Sequence, residues 1–314
     1  MKRFIIKLAG FLFLLLILLI LSYFGNREIL SRNKYYIDDS VQTIILGSSM
    51  AGCGINPAFF DDAVSLSSDA EPFVLSYLKL KDVLPESHSL ETVILSCSYP
   101  EIFLREDDFF KNNRSLAIVL FRRISFYNDL PSFRYFRPFT DNPILYYEAV
   151  IRNRILLLQA LRIYGRGGLE RVPHIRGYQH VNIRLDSGFV DKDDGKVNVD
   201  YKHYSEEYDN SLIKNEWNDL AYIDSIIQFT QEKDLRLVLV AMPVNSNLFN
   251  VVSDECKGEF KLIKHRFSQY EHVKFLDFTN LIEDPSFFKD HVHVRPFGAD
   301  SISKVIYSHI NKNY

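Results

Sequence analysis

Three residues of types that suit nucleophilic catalysis lie far apart in this sequence. Ser49 follows Gly47 and Ser48, whereas Asp290 and His293 stand three positions apart near the end of the chain. A serine hydroxyl attacks an acyl carbon when an imidazole accepts its proton, and a carboxylate must fix the tautomer of that imidazole. The three residue types together predict a Ser-His-Asp site for acyl transfer.

Each of these residues also has an ordinary structural interpretation. Ser49 could cap a helix, Asp290 could cap a turn or the last helix, and His293 could be a packed histidine with a backbone partner. His291 and His293 are separated by one residue, a spacing that also suits metal ligands. Because no further cluster of ligand residues stands out in the sequence, we expect no metal and no cofactor.

The elements around Ser49 must present its hydroxyl at an exposed edge. The apolar run 43–46 stops abruptly at Gly47, and small residues follow at Ala51 and Gly52. An α/β fold places a hydroxyl in this way at the carboxyl end of a central strand, where strand ends and helix N-termini converge. The segment 41–56 is therefore the one around which we expect the fold to be organised.

Short apolar runs alternate with helical periodicity along the rest of the chain. We predict strands over 43–46, 63–67, 90–96, 235–241 and 273–278, and helices over 57–63, 73–83, 211–233, 260–270 and 296–310. This alternation predicts a three-layer α/β/α fold with a central parallel sheet. The turn that carries Asp290 and His293 precedes the last helix, so it can overhang the sheet edge that carries Ser49.

The N-terminus is far more apolar than the rest of the chain. Residues 8–23 are almost entirely Leu, Ile and Phe, and about twenty such residues in a helix cross a bilayer. Residues 22–26 lack the small-residue pattern of a cleavage site, and Lys2 and Arg3 favour a cytoplasmic N-terminus. We predict an uncleaved transmembrane anchor over 1–26, a tether over 27–40 and an extracytoplasmic domain over 41–314.

The segment 105–208 breaks the alternation and is rich in Phe, Tyr and Arg. We predict an insertion on the α/β domain, whose aromatic side chains either pack in a core or line a carbohydrate or acyl groove. A formal net charge of -3 over 314 residues argues against a nucleic-acid partner. Buried thiols are favoured for Cys53, Cys97 and Cys256, and a Cys53–Cys97 bridge is the alternative.

The order of these motifs carries a resemblance to a known family. Gly47-Ser48-Ser49 after the first strand and Asp290-x-x-His293 before the last helix resemble the SGNH (GDSL-like) hydrolase superfamily over about residues 41–310, with the insertion excluded. The chain is most similar to membrane-anchored esterase- or O-acetyltransferase-like members found near bacterial envelope polysaccharides. The resemblance implies a flavodoxin-like fold with Ser49 as nucleophile, His293 as general base and Asp290 as its orienting acid.

Two blocks of the sequence depart from the family pattern. The family takes oxyanion donors from a glycine N–H and an asparagine side chain, whereas this chain has Ser67-Ser68-Asp69-Ala70 and Ser96-Cys97-Ser98-Tyr99 in those places. Loss of one such donor typically costs about a hundred- to a thousand-fold in rate. We predict the Ser49 N–H, the Ala70 N–H and the Ser98 hydroxyl as substitute donors.

The resemblance implies a serine esterase or O-acyltransferase that acts on acyl groups of a cell-envelope glycan. It would be a single-pass protein of the bacterial cytoplasmic membrane, and its partners would be the membrane, a glycan or acylated small molecule, and envelope-assembly proteins. The alternative is a catalytically degenerate SGNH-like scaffold that binds a glycan or partner proteins in envelope assembly.

Overall fold

The computed structural model describes residues 2–31, 39–67, 71–83, 88–103 and 220–311. The chain divides into two compact units, of which the first includes residues 1–34 and the second includes 35–106 and 174–314. The predicted insertion over 105–208, and Ala70 of the second block, lie outside the described residues.

One long helix, α1 (Lys2–Ser31), forms the described part of the first unit. Its bulky apolar side chains are exposed along much of its length, among them Phe4, Phe11, Leu14 and Leu18. Within the described residues, no helix is both long enough and apolar enough to cross a membrane. The helix continues into the stretch that we predicted as a tether, and the membrane anchor stays a prediction.

The second unit contains the parallel sheet that the alternating pattern predicts. Its five strands lie in the order β2-β1-β3-β4-β5, and every neighbouring pair is parallel. Runs of Ile, Val and Leu form strands that are buried on both faces, as expected for a parallel sheet. The strands are β1 (Thr43–Leu46), β2 (Ala63–Ser65), β3 (Thr92–Ser96), β4 (Arg236–Ala241) and β5 (Val273–Asp277).

Helices cover this sheet and complete a three-layer α/β fold. The helices are α2 (Ser49–Gly54), α3 (Phe73–Val83), α4 (Tyr99–Phe103), α5 (Leu220–Glu232), α6 (Ser246–Val251), α7 (Asp254–Phe267) and α8 (Pro296–Asn311). Helix α3 packs against α5, and α2 packs against α8. The central strands contribute fully buried residues to the core, among them Ile44, Ile94 and Leu239.

The sequence predicted two helices wrongly. The helix predicted over 57–63 is a single 3-10 turn, Pro57–Phe59, because Asn56 caps the turn and Asp62 adopts a positive φ of 43° before β2. Helix α7 begins at Asp254 instead of residue 260, because the Ser253 side chain caps it by accepting the Cys256 N–H.

The cysteines form no disulfide. Cys97 and Cys256 are buried, whereas Cys53 is only half-buried. The alternative of a Cys53–Cys97 bridge is therefore wrong. Burial, together with the nearby negative charge of Glu101, raises the pKa of the Cys97 thiol well above its usual range.

Candidate active site

The site lies where the sheet reverses its strand order. Strand β1 has β2 on one side and β3 on the other, so the chains that leave the carboxyl ends of β1 and β3 diverge. Such a switch point leaves a crevice at the carboxyl edge, which is where open α/β sheets bind ligands. Ser48 and Ser49 follow β1 at this edge, and the segment 97–101 follows β3.

A sharp turn after β1 presents the Ser49 hydroxyl. Gly47 adopts a φ of +124°, and a Cβ at this position would lie 2.0 Å from Ser96 Oγ, so only glycine fits. Ser48 caps helix α2, because its Oγ accepts the Met50 N–H at 3.1 Å. Ser49 is therefore the first residue of α2, and its side chain is only partly buried.

The turn before α8 holds a carboxylate and an imidazole together. Asp290 Oδ1 accepts the N–H groups of Val292 at 2.9 Å and of His293 at 2.8 Å. The other oxygen, Asp290 Oδ2, lies 2.7 Å from His293 Nδ1. An antiparallel bridge between Phe288 and Val294 closes the turn at its base. The spacing of three residues is thus short enough for one local turn to join both side chains.

The structure brings these two residues to Ser49. His293 Nε2 lies 2.7 Å from Ser49 Oγ, which completes a hydrogen-bonded triad of Ser49, His293 and Asp290. An ionised carboxylate can only accept, so Nδ1 carries the ring hydrogen and Nε2 accepts the hydroxyl hydrogen of Ser49. This tautomer is the one that a general base needs.

The environment keeps Asp290 ionised. Burial acts to raise the pKa of Asp290, but the hydrogen bond from the His293 ring, the electrostatic interaction with that ring and the two backbone N–H groups outweigh it. The net effect holds the pKa of this carboxyl well below its usual range. Asp290 can therefore stabilise a positive charge on His293 at neutral pH.

His291 has a structural place beside the triad. Its backbone carbonyl accepts the Asn245 N–H at 2.9 Å, and its Nδ1 lies 4.0 Å from Asp290 Oδ1. Burial lowers its pKa, an effect that His293 reinforces and Asp290 opposes. In the part of the chain that the structure describes, no group of three or more metal-ligating residues could hold a metal ion.

Helix α2 is tied to α8, which begins shortly after His293. The Asn56 N–H donates to Ser303 Oγ at 2.8 Å, and the Asn56 side-chain amide donates to Asp300 Oδ1 at 2.9 Å. Both acceptors lie on α8. These two hydrogen bonds join the segment that carries the serine to the helix that follows the histidine.

The predicted oxyanion donors differ in where the structure places them. Ser49 is the first residue of α2, a position at which the backbone N–H has no acceptor within its own helix. Ser98 is fully buried, and its Oγ accepts the Met242 N–H at 2.9 Å, so this hydroxyl joins the ends of β3 and β4. The Ser98 hydroxyl keeps one hydrogen to donate, whereas Ala70 lies outside the described residues.

Sequence reasoning missed Glu101, whose carboxylate lies beneath the serine turn. It accepts hydrogen bonds from Ser48, Ser96 and Ser98. The spacing Ser98-x-x-Glu101 is that of a capping box, in which a glutamate reaches back to the N–H of the cap residue. This spacing is the signal that could have found it.

Comparison with known proteins adds little to this geometry. No protein-family model and no curated protein matches the sequence. A solved structure described as "a putative platelet activating factor from Streptococcus pneumonia" is similar to this chain with a TM-score of 0.44 and 10% sequence identity, covering 96% of this chain and 99% of that one.

The arrangement suits attack on an electrophilic carbon. The Ser49 hydroxyl can pass its proton to His293 Nε2 as its oxygen forms a bond, and Asp290 can stabilise the imidazolium that results. Among the described residues, Ser49, His293 and Asp290 all remain partly exposed.

Proposed function

We propose that this protein is an SGNH-like serine esterase or O-acyltransferase that acts on acyl groups of a cell-envelope glycan. The observation that carries the proposal is the hydrogen-bonded triad, which joins Ser49 after β1 to the turn before α8. The parallel sheet with its switch point between β1 and β3 supports the same proposal, because the SGNH resemblance implies a fold of this kind.

The proposed reaction has two steps. Ser49 Oγ attacks the acyl carbon while its proton moves to His293 Nε2, and the ester bond then breaks as Nε2 returns that proton to the departing alkoxide oxygen. In the second step His293 deprotonates water or a sugar hydroxyl, which attacks the acyl-Ser49 and releases the serine. Water gives an esterase, and a sugar hydroxyl gives an acyltransferase.

We expect the reaction to take place at the outer face of the bacterial cytoplasmic membrane. The apolar run over residues 8–23 and the exposed apolar side chains of α1 support an N-terminal anchor. The full-length protein, expressed in bacteria, should remain in the membrane pellet after a carbonate wash. Recovery in the wash or in the soluble fraction would remove the anchor from the proposal.

A second candidate function is a non-catalytic scaffold that binds a glycan or envelope-assembly proteins. One observation favours it: the backbone N–H groups of Ser48 and Ser98 at the strand ends donate to Glu101 and are not directed at a substrate. A scaffold would bind acetylated glycan without releasing acetate, whereas the enzyme would release or transfer the acetyl group.

The direct test is turnover of p-nitrophenyl acetate by the wild type and two serine variants. Ser49→Ala should lower kcat by about 10⁴-fold or more, because it removes the nucleophile of the triad. Ser268→Ala serves as the matched control, since Ser268 is exposed at the end of α7 and only back-bonds to Lys264. Equal turnover by the Ser49→Ala variant and the wild type would overturn the proposal.

A further inference from the structure

We propose that Glu101 is a positioning residue for the nucleophile, and that its carboxylate holds the Ser49 turn in line with His293. The inference rests on the proposed role of Ser49 and assigns a residue outside the triad to the same site. It follows from what the Glu101 carboxylate contacts, from how its helix is held, and from what Ser48 does for α2.

The Glu101 carboxylate joins the chain segments that follow two neighbouring strands. Its Oε1 accepts the Ser48 N–H at 3.3 Å, the Ser48 hydroxyl at 2.5 Å and the Ser96 hydroxyl at 2.6 Å. Its Oε2 accepts the Ser98 N–H at 2.8 Å. Ser48 follows β1, whereas Ser96 and Ser98 lie at the end of β3, so one side chain bridges the switch point of the sheet.

Ser48 transmits this contact to the nucleophile. Its hydroxyl oxygen accepts the Met50 N–H at the start of α2, and its hydrogen is donated to Glu101. Glu101 therefore fixes the direction of the Ser48 hydroxyl, and with it the cap of the helix on which Ser49 is the first residue. Hydrogen bonds to an ionised carboxylate are roughly twice as strong as neutral ones. Bonds of this kind suit a turn that must hold the Ser49 hydroxyl in a fixed position.

The helix that carries Glu101 is packed into the core by its apolar residues. In α4, the Tyr99 ring packs at 5.0 Å from the Phe103 ring and at 5.4 Å from the Phe260 ring. Ile102 is buried as well. The carboxylate is thus held by a packed helix, and it can restrain the position of the serine turn.

Replacement of the carboxylate by an amide should disturb the turn, although the side chain keeps nearly the same shape. In Glu101→Gln, an amide oxygen that faces Ser48 and Ser96 leaves the amide NH₂ facing the Ser98 N–H, so that two donors meet. A displacement of the reacting groups by about 1 Å can cost roughly 100-fold in rate. We expect kcat to fall by about 10- to 100-fold, with KM within about twofold of the wild-type value.

The experiment compares Glu101→Gln with Glu91→Gln, using full-length protein and p-nitrophenyl acetate. Glu91 precedes β3 at the opposite end of the strand, where its carboxylate binds Arg236 at 3.0 Å, and we expect wild-type kcat in this variant. Thermal unfolding is recorded for each variant, and kcat is expressed per folded molecule. A purely structural role would lower the unfolding temperature but leave kcat per folded molecule unchanged.

A second variant keeps the test decisive if Glu101→Gln does not fold. Ser96→Ala removes one donor and keeps the carboxylate, and it should lower kcat several-fold at unchanged KM. Wild-type kcat in the folded Glu101→Gln variant would overturn this inference, and if that variant does not fold, wild-type kcat in Ser96→Ala would overturn it. The proposed function would still stand in either case if Ser49→Ala abolishes turnover. Full activity in Ser49→Ala would overturn both.

Discussion

Asp290 performs two tasks with its two oxygens. One oxygen accepts two backbone N–H groups and shapes the turn, and the other holds the ring of His293. The first task needs only an acceptor, whereas the second needs an acceptor that is negatively charged and cannot donate. An asparagine therefore separates the two tasks, because it can keep the turn while it lacks the charge.

We predict that Asp290→Asn lowers kcat by about 10³- to 10⁴-fold, in the range found for such triads. The amide NH₂ would face Nδ1 and force the ring hydrogen onto Nε2, which then cannot accept the Ser49 proton. The matched control is Asp284→Asn, because Asp284 Oδ1 also accepts an N–H two residues on, from Ser286 at 2.8 Å. Comparable turnover by the two variants would contradict a role for the Asp290 charge.

At the scale of elements, the turn between β1 and α2 depends on Gly47. A Cβ there would lie 2.0 Å from Ser96 Oγ in a backbone conformation that side chains rarely adopt. We predict that Gly47→Ala lowers the free energy of unfolding by at least about 1–3 kcal/mol, measured by denaturant titration. Gly258→Ala in α7 should instead raise it by about 0.5–1 kcal/mol, because a Cβ at Gly258 meets nothing within 4 Å. A Gly47→Ala variant that is as stable as the wild type would show that the turn tolerates a side chain.

The tie between α2 and α8 gives a second prediction at this scale. Ser303 Oγ accepts the Asn56 N–H and donates to the Ala299 carbonyl, so Ser303→Ala leaves a backbone donor without its acceptor. The variant should lose about 1–3 kcal/mol of unfolding free energy. Ser308→Ala on the same helix removes only a bond to the Val305 carbonyl and should cost less. Denaturant titration measures the loss of unfolding free energy in both variants. Equal losses would argue against a stabilising hydrogen bond between the Asn56 N–H and Ser303.

The strands could be predicted from the sequence more reliably than the short helices. The inner strands β1 and β3 are runs of apolar, largely β-branched residues, and burial on both faces requires such runs. The edge strand β5 contains Lys274 and Asp277 and is only partly buried. Helix α2 contains Gly52 and Gly54 and has little helical periodicity, so its local sequence does not predict a helix. It is held by the Ser48 cap and by packing against α8, and packing between distant segments is not visible in local sequence.

At the scale of the whole molecule, the strand order explains why residues so distant in sequence can meet. The order β2-β1-β3-β4-β5 puts the ends of β1 and β3 side by side, and α8 packs against α2.

The pairing of Asp290 with His293 follows from their spacing, since one turn contains both. The contact between Ser49 and His293 depends on this long-range packing. The residue types therefore suggested the contact, but it could not be derived from the spacing of the two residues in the sequence. Glu101 was missed for the same reason, because three of its hydrogen bonds come from outside its own turn.

The central claim is that Ser49 is a nucleophile activated by His293. The most direct measurement is labelling of the full-length protein with a fluorophosphonate, followed by mass spectrometry of the modified peptide. The account predicts one adduct on Ser49, lost in Ser49→Ala and at least about 100-fold slower to form in His293→Ala. An adduct on a different serine, or an unlabelled folded protein, would contradict it.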